Sequence, residues 1–450
     1  MGRLFGTDGM RGIANRDLSI KSVSELGMAL AELLRSEKPE VRHRVVIGKD
    51  TRLSSDMLES AMAAGLCAGG VDVLLLGVIP TPAVAHLTVQ MGMSAGIMIS
   101  ASHNPYEFNG IKVFGPRGYK LTDSEEDCIE RMLLDRDIPV IPVESAEIGR
   151  CSRDEQAIDR YVDYLVSTVK GNLGGMKVLV DCANGSASMT AKRLFHLLGA
   201  DATVICDAPD GLNVNRECGS IHVEHLRSIV REGGYQLAVA FDGDADRCLA
   251  VDEKGNVVNG DQMIAAMALR MKEEGRLPGN AAVVTVMSSF GFFRFAKQHD
   301  IHAETTKVGD RYVLENMLEN GYNIGGEQSG HIIFREFMPT GDGELSAIQL
   351  MCAMRDTDKL LSELTSVMPV TPQVLINVEA TRDMKEALHE SIELDKLIHD
   401  AEDELGDTGR ILIRPSGTEP LIRVMVEGEE ELLIERLAKT IADGITKYLD

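Results

Sequence analysis

The chain has 450 residues, which is too long for one ordinary core and predicts three or four domains. With 70 acidic residues against 46 basic ones, the formal net charge of −24 opposes nonspecific binding to nucleic acid or an anionic membrane. The eight cysteines form no C-x-x-C pair, and no stretch resembles a signal core or a membrane span, so we expect a reduced, cytoplasmic protein.

Strand, polar loop and helix follow one another three times in the first 300 residues. In each case an apolar, β-branched run precedes a loop and an Ala- or Phe-rich helical pattern. The three strand and helix pairs are predicted at residues 44–47 and 55–69, 177–180 and 187–198, and 281–286 and 290–298. This alternation predicts parallel or mixed sheets covered by helices, the α/β class.

The C-terminal region has a different pattern. Strands are predicted at residues 374–378, 410–414 and 421–426, with helices at 384–398 and 430–449. Two prolines within residues 368–372 mark the start of this small α+β unit. The domains are therefore predicted at residues 1–153, 154–256, 257–370 and 371–450.

A candidate nucleophile lies in the segment Ser-Ala-Ser-His-Asn-Pro, residues 100–105. Ser102 follows the apolar run 95–99, and the following Asn-Pro predicts a loop that exposes its hydroxyl. Taken alone, the segment is also typical of a polar turn, and the adjacent His103 does not make a catalytic pair. Lys112 adds a cation near the same loop that could offset phosphate charge.

A candidate metal site follows the apolar run 237–241. Asp242, Asp244 and Asp246 offer three hard oxygen ligands at a strand end, which suits a cation such as magnesium. The spacing resembles the start of an EF-hand loop, but Arg247 stands where that loop requires glycine. An acidic turn without a metal is the remaining alternative.

Two further segments suit a phosphorylated, hydroxyl-rich ligand. Residues 414–420, with Arg423 following, combine guanidinium groups, hydroxyls and glycine-exposed N–H groups in a phosphate cradle, although an ordinary Pro-Gly hairpin has the same pattern. Residues 325–331 place Glu327 and Ser329 on a glycine-flanked loop, where they could hold sugar hydroxyls. His331 in that loop is either a base or a capping residue.

These segments occur in one chain and in one order, together with Phe-Gly-Thr-Asp-Gly-Met-Arg-Gly at residues 5–12. The chain thereby resembles the α-D-phosphohexomutase superfamily over essentially its full length. The resemblance implies four domains around a central cleft, three of them related mixed α/β domains and the last a smaller α+β domain. It also implies phosphoryl transfer through a phosphoserine enzyme.

The same resemblance implies roles for individual residues. Ser102 would carry the phosphoryl group, and its phosphate would hold magnesium together with Asp242, Asp244 and Asp246. Beside the transferred group would lie the cations Arg11, Lys112 and Arg247, with His331 as proton carrier. The substrate-binding residues implied are Lys307, Gly309, Asp310, Arg311, Glu327, Ser329, Arg414, Ser416, Gly417, Thr418 and Arg423.

The implied reaction interconverts hexose 6- and 1-phosphates through a 1,6-bisphosphate, and Gln328 favours glucosamine as the sugar. A mannose or glucose mutase of the same superfamily is the nearest alternative, followed by a metal-dependent sugar phosphatase and a noncatalytic phosphosugar-binding protein. Glucosamine or glucose 1,6-bisphosphate would be the activator, with a kinase or autophosphorylation at Ser102 as other sources of phosphate. The resemblance further implies a homodimer, and a product used for UDP-N-acetylglucosamine synthesis.

Overall fold

The computed structural model describes residues 3–6, 8–388, 390–415 and 420–449. By its internal contacts the chain divides into two compact units. The first comprises Met1–Met287 and Asp300–Val367, and the second comprises Ser288–His299 and Met368–Asp450. Of the four sheets found in the described residues, three lie in the first unit and one in the second.

The first sheet consists of β1 (Met10–Ile13), β2 (Arg44–Lys49), β3 (Asp72–Val78), β4 (Ala95–Ile99), β5 (Phe108–Phe114) and β6 (Cys151–Arg153). Its order is β1-β5-β4-β2-β3-β6, with β1 and β5 antiparallel to their neighbours and the others parallel. The helices of this region are α1 (Ile20–Glu37), α2 (Ser55–Ala68), α3 (Thr81–Gln90) and α4 (Asp123–Glu130), which a π-helical turn extends at Arg131–Asp135. Successive side chains of β2 are buried, as expected for an inner strand covered on both faces.

The second sheet consists of β7 (Lys177–Asp181), β8 (Asp201–Ile205), β9 (Leu237–Phe241), β10 (Cys248–Asp252) and β11 (Val257–Val258), in the order β11-β10-β9-β7-β8. Its helices are α5 (Ala157–Ser167), α6 (Ala191–Leu197), α7 (Leu226–Gly233) and α8 (Gly260–Glu273). Strands β9 and β10 form a hairpin in which Phe241 pairs with Cys248. The loop of this hairpin is therefore the segment 242–247, which carries the three aspartates.

The third sheet consists of β12 (Ala281–Thr285), β13 (His302–Thr306), β14 (Ile324–Gly326) and β15 (Ile332–Phe334), in the order β13-β12-β14-β15. Its region contains α9 (Phe290–Gln298), which belongs to the second unit, and α10 (Asp310–Asn320), α11 (Gly343–Thr357) and α12 (Leu361–Thr365). Strands β14 and β15 are antiparallel and enclose the segment 327–331. That loop carries Glu327, Ser329 and His331.

The second unit contains an antiparallel sheet of β16 (Gln373–Glu379), β17 (Gly409–Pro415) and β18 (Leu421–Gly428), in the order β16-β18-β17. Its other helices are α13 (Arg382–Ala387), α14 (Ile392–Leu405) and α15 (Glu431–Leu449). The prediction of one helix at residues 384–398 is wrong, because α13 and α14 both occupy parts of this region. Ser391 caps α14 by accepting a hydrogen bond from the backbone N–H of Leu394, which begins a new helix there.

The predicted α/β class with a smaller C-terminal domain is confirmed by these sheets. The C-terminal core consists of buried residues from one face of β18, such as Ile422 and Val424, and residues such as Leu437 and Ile441 of α15. Within the described residues, no helix combines the length and hydropathy needed to cross a bilayer. The domain boundaries at residues 153, 256 and 370 stay predictions.

Candidate active site

Ser102 lies in the loop after β4, and its backbone is held in the left-handed region with φ of 51°. This conformation costs a non-glycine residue about 1 kcal/mol, so the surroundings must stabilise it. Arg52 and Asn215 donate hydrogen bonds to the Ser102 carbonyl at 2.8 and 2.9 Å. The Ser102 N–H donates to Ser100 Oγ at 2.9 Å, and Ser100 in turn donates to Asp50. The backbone of this candidate nucleophile is therefore held by hydrogen bonds on both sides of the residue.

The three aspartates meet Ser102 across 140 residues of sequence. The Ser102 hydroxyl donates to Asp242 Oδ2 at 2.5 Å. Asp242, Asp244 and Asp246 are all buried, and one carboxylate oxygen of each lies within 4.8 Å of the others. The Oδ1 atoms of Asp244 and Asp246 are buried and have no hydrogen-bond partner, so each carboxylate has an oxygen available to a metal.

The carboxylates of this cluster differ in proton affinity. Burial, together with the negative charges of Asp246 and Asp244, raises the pKa of Asp242 to about 8. Burial and Asp246 also raise the pKa of Asp244. Burial opposes ionisation of Asp246, but the Lys112 cation holds the pKa of Asp246 well below its usual range. At neutral pH the cluster therefore retains a proton in the absence of a metal.

Lys112 is the principal cation of the cluster. Its side chain is 1% exposed, and its Nζ donates to Asp244 Oδ2 at 2.8 Å and Asp246 Oδ2 at 2.9 Å. Asp8 Oδ2 lies 3.3 Å from the same nitrogen. Burial alone would lower the pKa of Lys112, but these carboxylates raise it well above its usual value, so the side chain stays an ammonium.

A cavity of about 210 Å³ opens beside the cluster. Seven of its lining residues are predicted site residues from distant segments: Arg11, Asp246, Arg247, Gly309, Asp310, Glu327 and His331. Asp8 and Val308, which were not predicted, also line it. His331 lies between two carboxylates, with Nδ1 3.6 Å from Asp246 Oδ1 and Nε2 3.6 Å from Asp310 Oδ2. Burial would lower the pKa of His331, but Asp246 and Asp310 raise it to about 9, so the imidazole is protonated at neutral pH.

Some of the predicted sugar-binding residues lie at this cavity and others lie away from it. Glu327 lines the cavity and accepts a hydrogen bond from the Gly309 N–H at 3.1 Å. Ser329 lies in the same loop, and its buried Oγ has no hydrogen-bond partner. Lys307 is exposed and does not line this cavity. Arg311 faces a different neighbourhood, where it pairs with Asp123 at 2.8 Å, Glu126 and Glu315.

The predicted phosphate cradle is part of the second unit. Arg414 and Arg423 are directly opposite each other in the β17–β18 pair. Burial and the positive charge of Arg423 lower the pKa of Arg414, which indicates two guanidinium groups close together. Ser416, Gly417 and Thr418 lie outside the described residues.

Sequence reasoning assigned no role to several residues that complete the site. Lys120 Nζ joins Asp8 at 2.6 Å to Asp310 at 2.7 Å, and this links the first and third sheets. His103 Nδ1 lies 3.3 Å from Ser102 Oγ, although adjacent residues were expected to point apart. The one signal for Asp8 was its place in the motif at residues 5–12. No local pattern singles out Lys120.

Known proteins are similar to this chain over its full length. Models described as Phosphoglucomutase/phosphomannomutase match four successive parts of the chain: alpha/beta/alpha domain I at residues 2–137, domain II at 159–255, domain III at 259–370 and the C-terminal domain at 375–444. A phosphoglucosamine mutase of Acetivibrio thermocellus is 50% identical over 449 residues, covering 100% of both chains. The chain therefore belongs to the phosphoglucomutase/phosphomannomutase family and, within it, to the phosphoglucosamine mutases.

Solved structures support the fold. A phosphoglucomutase/phosphomannomutase family protein from Burkholderia thailandensis has a TM-score of 0.83 at 23% identity, covering 99% of this chain and 97% of the other. The Aspergillus fumigatus N-acetylphosphoglucosamine mutase, solved with GlcNAc-6P and magnesium, has a TM-score of 0.70 at 17% identity, covering 99% and 96%. At these identities the likeness establishes a shared fold.

Proposed function

We propose that this protein interconverts glucosamine 6-phosphate and glucosamine 1-phosphate through phospho-Ser102 and a 1,6-bisphosphate intermediate. The observation that carries the proposal is the buried Ser102 hydroxyl, 2.5 Å from Asp242 within a cluster of three carboxylates. A hydroxyl held beside three carboxylates that can bind a metal suits phosphoryl transfer, because that reaction depends on positioning and on compensation of negative charge. The full-length phosphoglucosamine mutases among the relatives support glucosamine as the sugar.

Magnesium is the proposed metal, and the residues present fit it. Asp242, Asp244 and Asp246 supply hard oxygen donors, and the partnerless Oδ1 atoms of the last two are buried in the cluster. When bound, the cation would offset the negative charge on the oxygens of the transferring phosphoryl group. Lys112, beside the aspartates, and Arg11 and Arg247, in the cavity lining, would bind and orient the same group.

The proposed reaction has two halves. In the first, the sugar O1 forms a bond to the phosphorus of phospho-Ser102, the bond from phosphorus to Ser102 Oγ breaks, Ser102 Oγ gains a proton and the O1 hydroxyl loses one. After the bisphosphate turns round, the Ser102 hydroxyl loses its proton as Oγ bonds to the phosphorus carried at carbon 6, and O6 gains a proton as its bond to that phosphorus breaks. His331, protonated and beside Asp246, is the proposed proton carrier: it would donate to the leaving oxygen and regain a proton from the attacking hydroxyl.

Binding outside the transfer point keeps the sugar in place during both halves. Glu327 and Ser329 would hold sugar hydroxyls, with Gly309 and Asp310 in the same cavity. Lys307 and Arg311, predicted for the same role, lie outside the lining of that cavity. Arg414 and Arg423, with Ser416, Gly417 and Thr418, would hold the phosphate that does not react. Glucosamine or glucose 1,6-bisphosphate would prime Ser102, with a kinase or autophosphorylation as the other sources. The protein is proposed to act as a cytoplasmic homodimer.

The test compares kcat/KM of bisphosphate-primed, magnesium-loaded protein on glucosamine 6-phosphate, mannose 6-phosphate and glucose 6-phosphate, with each 1-phosphate detected directly. We expect a strong preference for the amino sugar. Preference for mannose or glucose would contradict the sugar assignment, and inorganic phosphate as main product would indicate a phosphatase. Ser102→Ala should lose turnover and the covalent phosphate, while Ser152→Ala, at an exposed serine of β6, should keep both.

A further inference from the structure

A second cluster of metal-ligating side chains lies at the carboxyl ends of β7 and β8. Asp181 ends β7, Cys206 directly follows β8, and His225 ends the 3-10 helix Ser220–His225. One carboxylate oxygen, the thiol sulfur and one imidazole nitrogen lie within 4.8 Å of one another. The proposed reaction uses none of these residues.

A hydrogen bond from Nδ1 fixes the orientation of the His225 imidazole. Nδ1 lies 2.6 Å from the His222 carbonyl oxygen, and because a carbonyl can only accept, Nδ1 carries a proton. Nε2 is therefore the atom that faces the cluster, 3.1 Å from Asp181 Oδ2. A histidine whose far N–H is fixed by a backbone carbonyl is the arrangement commonly found around protein-bound metals.

The carboxylate is also held in place. Asp181 is fully buried and accepts backbone hydrogen bonds from Ala183 and Gly219, each at 2.8 Å. The cluster therefore offers one oxygen, one nitrogen and one sulfur atom, from the ends of β7, β8 and the 3-10 helix.

We propose that Asp181, Cys206 and His225 form a binding site for a zinc-class divalent cation, with water as the fourth ligand. Thiolate and imidazole ligands select zinc over magnesium, and three protein ligands with one water suit its tetrahedral geometry. Zinc–ligand bonds of about 2.0–2.3 Å place two ligands at most about 4.6 Å apart, so the observed cluster needs only small shifts. Asp181 raises the pKa of His225 to about 9, so on binding Cys206 releases its thiol proton and His225 its Nε2 proton to solvent, without a change of oxidation state.

The site would brace the loops that hold the nucleophile. Asn215, in the loop that Cys206 begins, donates to the Ser102 carbonyl at 2.9 Å. The Ser186 N–H, shortly after Asp181, donates to the Gly243 carbonyl at 2.9 Å. A cation joining these loops would stabilise the backbone beneath both Ser102 and the aspartate loop. The inference does not depend on which sugar the protein uses.

The test is a titration of chelator-treated, reduced full-length protein with Zn²⁺ and Co²⁺ in saturating Mg²⁺. We expect one high-affinity equivalent per chain, with the intense absorption of thiolate-bound, tetrahedral Co²⁺. Cys206→Ser and His225→Ala should each weaken Zn²⁺ binding at least about 10–100-fold. The matched control Cys151→Ser, at an exposed cysteine outside the cluster, should bind like the wild type.

Thiol protection in the wild-type protein gives a readout that does not depend on variant folding. Zn²⁺ should protect Cys206 from alkylation, as mapped by mass spectrometry, while the exposed Cys151 stays reactive. No Zn²⁺ binding in the presence of Mg²⁺, binding unchanged in both variants, or alkylation of Cys206 unaffected by Zn²⁺ would each overturn the proposal.

Discussion

Replacing Lys112 by methionine tests whether one buried ammonium holds the aspartate cluster together. Methionine keeps most of the apolar volume of the lysine stem but removes the charge that contacts Asp244 and Asp246 at 2.8 and 2.9 Å. We expect the variant to fold but to be destabilised in the absence of divalent cations. Added Mg²⁺ should restore part of the lost stability.

The magnitude follows from burial of all three groups. Lys112 is 1% exposed, and the side chains of Asp244 and Asp246 are 0% and 6% exposed, so solvent cannot replace the lost contacts. Removing one partner from a buried ionic cluster costs about 3–5 kcal/mol. A cation that binds only the folded state at 100 times its Kd returns about 2.7 kcal/mol.

The pH dependence has a definite sign. In the wild type, Lys112 holds the pKa of Asp246 below its usual range, so this stabilisation is present above the unfolded pKa and is lost as pH falls through the folded one. In the variant the pKa of Asp246 rises, and protonation then relieves the repulsion. The difference in unfolding free energy between wild type and variant should therefore become smaller as the pH is lowered.

The assay is urea unfolding followed by circular dichroism at neutral pH, with EDTA or with Mg²⁺. Lys254→Met is the matched control, because Lys254 is 64% exposed and its loss should change stability by less than about 0.5 kcal/mol. A Lys112→Met effect below about 1 kcal/mol in EDTA, or no recovery with Mg²⁺, would refute the reasoning.

Three further predictions concern the nucleophile, the cradle and the protonated histidine. Ser102→Ala should abolish sustained isomerisation while calorimetry still detects substrate binding, because the covalent carrier is lost but the binding groups remain; wild-type turnover would contradict this. Arg414→Ala should raise KM without preventing phosphorylation of Ser102, as measured by intact mass; an unphosphorylated variant would contradict that division. Because the pKa of His331 is raised to about 9, its stabilising contribution, about 3 kcal/mol, should be complete below about pH 6.5 and disappear as pH rises through 9. The unfolding free energy of His331→Asn should lack this decline.

Local patterns predicted elements that bury a regular apolar face. Strand β9 and helix α9 have the bounds expected from the sequence, Leu237–Phe241 and Phe290–Gln298. The helix predicted at residues 384–398 failed because the apolar periodicity continues across a break, which Ser391 marks by capping a new helix. A single serine within a helical pattern is a weak signal, since serine is also tolerated inside helices.

Contacts between distant segments were less accessible from the sequence. Resemblance to known motifs predicted that Ser102 and Asp242 serve one site, but it gave no role to Lys120. This lysine contacts Asp8, 112 residues before it, and Asp310, 190 residues after it. The cluster of Asp181, Cys206 and His225 was also missed, because its members are far apart in the sequence. Its members end β7, directly follow β8 and end a 3-10 helix, at spacings typical of no metal motif, and the fold rather than the sequence brings them together.

Charge balance explains how an acidic protein can accept a phosphorylated ligand. Six carboxylates surround the site, and five cationic groups contact or neighbour them: Asp8, Asp242, Asp244, Asp246, Asp310 and Glu327 against Arg11, Lys112, Lys120, Arg247 and His331. Since the pKa of Asp242 is raised to about 8, that carboxyl holds a proton at neutral pH and the two sets nearly cancel. A phosphate dianion alone would upset this balance, as would a divalent cation alone. Together they preserve it, so the geometry favours binding of phosphate and metal as a complementary pair, despite the net charge of −24.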